Sequence, residues 1–327
     1  MEALRPGDRV RTQDGALKPV EWIGRRRLDL ARHKQPERAQ PIRILRDAFA
    51  PGVPLRDLRL SPDHAVLLDG MLIAARLLVN GATILRETDC RAVTYYHVEL
   101  AAHDVLLAEN LAAESYLDTG NRATFENAGL PLLLHPNFEA DQQRRSAQSC
   151  APFATDPALV EPIWRRLAER ATALGYALET PETTEEPDLR LLVDGREIRA
   201  VTAQDRRHIF VLPRRRQVVR MLSRAAAPCE TAPWLDDRRR LGVMVGAVTL
   251  RQGQNLRTIP ADHPALTDGW WAAEQAGRAL WRWTDGDALL PMAGGEGPAM
   301  LEVALAGTLA YPVGQARREQ PARRAAA

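Results

Sequence analysis

Lysine is nearly missing from this chain of 327 residues: Lys18 and Lys34 are the only two among 44 basic side chains. The positive charge is therefore almost all arginine, which a genome-wide base-composition bias explains more simply than a function. With 42 acidic side chains the net charge is +2, a balance that argues against a dedicated nucleic-acid binder. The three cysteines, Cys90, Cys150 and Cys229, are far apart and odd in number. They make neither a disulfide framework nor a paired-cysteine zinc site. The seven histidines include no HExxH pattern, and neither a metal nor a cofactor is expected. No run approaches eighteen apolar residues, so no membrane-spanning helix is expected. Met1 to Asp8 lacks the basic and apolar regions of a secretion signal, and the compartment is not legible from the chain as given. What remains is a globular composition, 45% hydrophobic and 26% charged, long enough for two domains.

The chain reads as mainly β. Up to about residue 125 it consists of short alternating runs ended by turn residues. Examples are Arg9–Thr12 before Asp14-Gly15, Pro19–Gly24, Pro41–Leu45 and Val93–Leu100. Ala65–Leu68 and Met71–Ile73 flank Asp69-Gly70, a two-residue hairpin signal, and Val105–Ala108 reaches Glu109-Asn110 in the same way. Ala74–Val79 reads as a short helix or an irregular link. Residues 126–154, with Pro131, Pro136 and a polar run, read as a linker. Asp156-Pro157 then opens an amphipathic helix whose apolar residues recur from Leu159 to Leu174, closed by Gly175. Strand patterns resume at Leu189–Val193, His208–Leu212, Val218–Ser223, Leu241–Leu250, Trp270–Ala273, Ala279–Trp283 and Ala299–Leu305. The expected organisation is an all-β domain over 1–125, the linker, a helix plus β-sandwich-like domain over 155–313, and a frayed tail over 314–327.

Chemistry-bearing residues cluster in the first half. Ser61 and His64 stand in Ser-Pro-Asp-His, where a tight turn can aim a hydroxyl and an imidazole at one point. Such a pair can hydrogen-bond a peptide and protonate its leaving nitrogen. The same residues also make an ordinary turn. His97 lies in an alternating strand where it can simply pack, and His103 begins the next strand. Glu114 and Ser115 read most simply as a strand end. A conventional hydrolase built on Ser61 and His64 would need an orienting carboxylate and an oxyanion hole, which the sequence does not show.

Taken in order, these stretches resemble the Hint (Hedgehog/intein) domain, in its bacterial branch. The matching stretches are Leu4–Val10, Pro19–Arg25, Arg56–Ala65, Leu78–Gly81, His97–Leu100, His103–Glu109 and Glu114–Asp118. The resemblance implies a horseshoe-like all-β fold and a self-processing reaction. In it a cysteine at the domain's first position attacks the preceding carbonyl, and the resulting thioester passes to a second nucleophile. It places Ser61 and His64 at the positions that activate the scissile peptide, and His103 at the later histidine of the domain. It also implies that the partner is the chain's own upstream segment. Proteins with such domains are often secreted or on the cell surface.

Two departures limit that expectation. None of the three cysteines lies near Met1, so the chain as written is expected to be inactive and truncated at its N-terminus. The closing His-Asn of an intein is missing after Asp118, which disfavours splicing and leaves Hedgehog-like cleavage. The alternative is a catalytically dead Hint scaffold joined to a β domain that binds glycan or protein. That domain is rich in tryptophan, at Trp234, Trp270, Trp271, Trp281 and Trp283. Its stretches from Trp234 to Gly242, Gly269 to Glu274 and Trp281 to Gly286 are loosely similar to accessory β domains of bacterial Hint proteins and glycosyltransferases. Large aromatics equally suit a buried core.

Overall fold

The computed structural model describes residues 1–128, 147–179, 181–292 and 295–313. It is mainly β, built of antiparallel sheets, and divides into two compact units. The first comprises Met1–Glu179 with Pro233–Leu235, the second Thr180–Ala232 with Asp236–Ala327. The expected tail and most of the expected linker lie outside the described residues.

Among the described residues, eleven strands build the first unit. These are β1 (Arg9–Arg11), β2 (Leu17–Pro19), β3 (Trp22–Asp29), β4 (Ile42–Ile44), β5 (Leu58–Leu60) and β6 (Ala65–Leu68). Then follow β7 (Met71–Ala74), β8 (Ile84–Arg86), β9 (Ala92–Glu99), β10 (Val105–Ala108) and β11 (Leu111–Glu114). They form a four-stranded sheet in the order β10-β11-β6-β7, a three-stranded sheet β5-β4-β8, and the pairs β3-β9 and β1-β2. Both hairpins read from sequence are present. Asp69 and Gly70 take φ of 48° and 78°, and Glu109 and Asn110 take 51° and 69°. Two successive left-handed residues match the right-handed twist of the flanking strands. The link after β7 is a 3-10 turn over Ala75–Leu78.

β3 differs from expectation. It runs through Gly24 to Asp29 and pairs with β9 along its whole length, Gly24 facing His97. Glycine does not end this strand; it makes room within it. A Cβ at Gly24 would come within 2.5 Å of Trp22 Cη2 and 2.8 Å of Phe125 Cδ1.

The helix α1 (Pro157–Ala173) is present with the expected start, Asp156 accepting from the Ala158 N–H at 2.9 Å. Its place corrects the expected division. Val160, Ile163 and Leu167 pack into one core with Ile42, Ile73, Leu78 and Leu111 of the first unit. Trp164 Nε1 donates to the Val79 carbonyl at 2.8 Å, and Arg170 to that of Asp47 at 2.7 Å. The apolar stripe of a helix buries wherever a complementary face exists, irrespective of which domain follows it in sequence. The segment before the helix is also tied down: Leu72 exchanges hydrogen bonds with Pro152 and Ala154, and Ala154 is buried.

The second unit holds a four-stranded sheet, ordered Arg196–Arg199, Arg190–Val193, Val219–Leu222, Asp287–Leu290, and a seven-stranded sheet centred on Met244–Gln252 and Ala299–Gly307. Leu191, Val219, Met221 and Leu290 from one and Phe210, Val248, Leu301 and Val303 from the other share a single core. Alternating inward residues from two sheets define a sandwich. The strands Arg196–Arg199, Thr202–Gln204, Asn255–Pro260 and Asp287–Leu290 escaped the sequence reading. The first three are largely exposed on both faces and so lack an apolar alternation.

Candidate active site

The Ser61–His64 turn joins β5 to β6. His64 N–H donates to the Ser61 carbonyl at 3.1 Å, which closes the turn. After it, the Ala75 N–H bonds the His64 carbonyl at 2.9 Å and the Arg76 N–H the Pro62 carbonyl at 3.0 Å. Asp63 forms an ion pair with Arg76.

β9 brings a second imidazole. The rings of His64 and His97 lie 5.9 Å apart, centroid to centroid. His97 packs edge-on against Phe125 at 5.1 Å and Tyr116 at 5.9 Å. Trp22 joins this cluster, 5.3 Å from Phe125 and 5.4 Å from Tyr116, and the Arg122 guanidinium stacks on its ring at 4.3 Å. Burial pushes the Tyr116 hydroxyl well above the ordinary phenol range, with the nearby Asp118 carboxylate adding to it. That hydroxyl stays protonated and donates to Asn121 Oδ1 at 2.6 Å.

The end of β11 closes the site. The Tyr116 N–H bonds the Val98 carbonyl at 2.6 Å and the Ser115 N–H that of Asp104 at 2.7 Å, so Glu114 is carried in beside β9. Glu114 is buried, at 7% exposure. Oε1 accepts the backbone N–H of Ala65 at 2.7 Å. Oε2 lies 3.5 Å from Nε2 of His103. His103 itself is buried, its Nδ1 accepting the Cys150 N–H at 3.0 Å.

A cavity of about 1220 Å³ opens over these groups. Ser61, His64, His97 and Glu114 line it, and so do Met1 and Glu2. The chain's N-terminal residues thus share a cavity with the Ser-x-x-His turn. Residues 1–120 match the model of the Hint domain family. That stretch is similar to the Hint domain. No curated protein and no solved structure matches the chain.

Ser61 and His64 both line this cavity. His103 touches Glu114, and Glu114 is what reaches the cavity wall. Within the sequence Glu114 is a strand end and His97 one residue of an alternating strand. The register that sets Gly24 against His97 is the feature that would have found His97, since a glycine inside a strand marks a close approach.

The tryptophans do not form one cluster. Trp234 lies in the first unit, 4.9 Å from Trp164. In the second unit Trp270 and Trp283 are buried core residues, at 8% exposure each. Trp271 and Trp281 are half-buried and donate to the Arg240 carbonyl and to Glu274. Among the described residues no helix is long and apolar enough to cross a membrane.

Proposed function

We propose that the cavity is a Hint-type self-processing centre acting on the peptide bond that precedes residue 1. The observation that carries this reading is the joint lining of the cavity by Met1, Glu2, Ser61 and His64. Ser61 hydrogen-bonds the scissile peptide, and His64 supplies the proton its nitrogen needs to leave. With a cysteine at position 1, sulfur attacks the preceding carbonyl carbon, a C–S bond forms and the C–N bond breaks. The proton lost by sulfur is matched by the one gained at nitrogen, and a second nucleophile then releases the upstream segment as in Hedgehog-like cleavage. His103 serves this centre from behind the cavity wall.

Methionine at position 1 carries a thioether, which has no proton to lose and forms no stable acyl adduct. Residue 1 as written therefore supplies no such nucleophile. The test restores the nucleophile. Full chain bearing Met1→Cys, fused behind a soluble reporter domain, is incubated with and without dithiothreitol and weighed intact. Thiol-dependent release of the reporter, lost in His64→Ala and reduced in Ser61→Ala, supports the reading. An uncleaved fusion under every condition supports instead a Hint scaffold without chemistry, with glycan or protein binding by the second unit as its role.

A further inference from the structure

We infer that Glu114 is a positioning residue for His64, held in place by His103; the inference rests on the self-processing reading. A buried carboxylate is costly to desolvate and is kept where its oxygens are used. The two oxygens of Glu114 face different groups. Oε1 takes the N–H of Ala65, the residue directly after His64, at 2.7 Å. Ala65 is fully buried, so an apolar side chain at position 114 would strand that N–H without a partner.

The other oxygen faces His103. Nδ1 of His103 accepts a backbone N–H from Cys150 at 3.0 Å, so it carries no proton. The ring proton is then on Nε2, which lies 3.5 Å from Glu114 Oε2. At that separation no hydrogen bond forms, and Nε2 has no hydrogen-bond partner among the described residues. The imidazole packs beside the carboxylate, and the short bond to Ala65 sets the geometry. The chain of contacts runs from Cys150 through His103 and Glu114 to the start of β6. It fixes the backbone from which His64 projects into the cavity.

This assigns His103 a different part from the one its sequence position implied. It touches no reacting atom; it orients Glu114, which orients the His64 turn. Neither Leu111 nor Ala113 of the same strand does this, since both are buried apolar residues of the core.

The experiment compares Glu114→Ala and Glu114→Gln in the Met1→Cys fusion, and in the unfused full chain by amide and imidazole NMR. Glutamine keeps an oxygen for Ala65 N–H and alanine does not. The expected result is a loss of about 100-fold in thiol-dependent release for alanine, the scale of a catalytic group displaced by about 1 Å. Glutamine should recover most of it. In the unfused chain the Ala65 amide proton and the His64 ring resonances should move in the alanine variant and return toward parental values with glutamine. Release at the parental rate in Glu114→Ala, or resonances of Ala65 and His64 that do not move, overturns the inference. If the parental fusion does not cleave at all, the self-processing reading fails by itself, and the resonances still decide whether Glu114 positions His64.

Discussion

Replacing Gly24 by alanine tests whether the aromatic wall behind His97 is packed as described. The added Cβ would lie 2.5 and 2.6 Å from Trp22 Cη2 and Cζ3 and 2.8 Å from Phe125 Cδ1. These are ring atoms, not flexible chain ends. Trp22 is held by the stacked Arg122 guanidinium, which is itself hydrogen-bonded to both oxygens of Glu99 at 2.8 and 3.0 Å. The rings must therefore shift together, and overpacking of this kind costs about 1–3 kcal/mol. Against it stands the reduced freedom of the unfolded chain, about 0.4–1 kcal/mol in favour of alanine. The clash wins, with a net destabilisation of about 1–2 kcal/mol in the first unit. Hydrogen exchange of peptides covering β3 and β9, followed through a urea titration, reads that unit alone. Gly246→Ala is the matched comparison, since a Cβ there meets only the Ala304 carbonyl at 3.6 Å and Ala306 Cβ at 4.0 Å. It should be neutral or slightly stabilising. A Gly24→Ala chain as stable as its parent, with the His97 ring resonances unmoved, would refute the packing on which the site geometry depends.

Two further predictions concern titrating groups. Burial, with the Asp104 and Glu114 carboxylates adding to it, raises the Cys150 thiol above the ordinary thiol range. Its alkylation by iodoacetamide should set in at higher pH in the folded chain than in the same chain unfolded in urea, and coincident profiles would contradict this. In the second unit, burial pushes the Tyr311 hydroxyl, which donates to the Gly242 carbonyl at 2.8 Å, up to about 12. A group raised on folding stabilises the fold below its unfolded value near 10 and loses that contribution as pH rises through its folded value. Denaturant titrations between pH 9 and 12 should therefore show the second unit losing roughly 2 kcal/mol more in the parent than in Tyr311→Phe, and equal losses would sink the assignment.

What was legible in the sequence was local. The turns at Asp69-Gly70 and Glu109-Asn110 and the cap at Asp156 depend on residues within a few positions of one another, and each stands where it was read. The Ser61–His64 turn is of the same kind. The rest of the site depends on pairings between distant residues. His97 meets the site because β9 pairs with β3, and Glu114 because the chain after β11 hydrogen-bonds back to Val98. No periodicity within either strand encodes that. The placement of α1 failed for the same reason: its apolar stripe showed that it would be buried but not against which core. Trp234 is the sharpest case, since its neighbours in sequence belong to the second unit while it packs beside Trp164 in the first.

The central claim is that His64 and its turn promote an acyl transfer at the peptide before residue 1. The most direct measurement traps the acyl intermediate. The Met1→Cys fusion, with His64 intact or replaced by alanine, is treated with hydroxylamine in place of dithiothreitol, and the released reporter is analysed by mass spectrometry. The account predicts a hydroxamate at the reporter's new C-terminus with His64 present, and none with alanine. Release of the same hydroxamate at equal rates from both chains, or from neither, would contradict it.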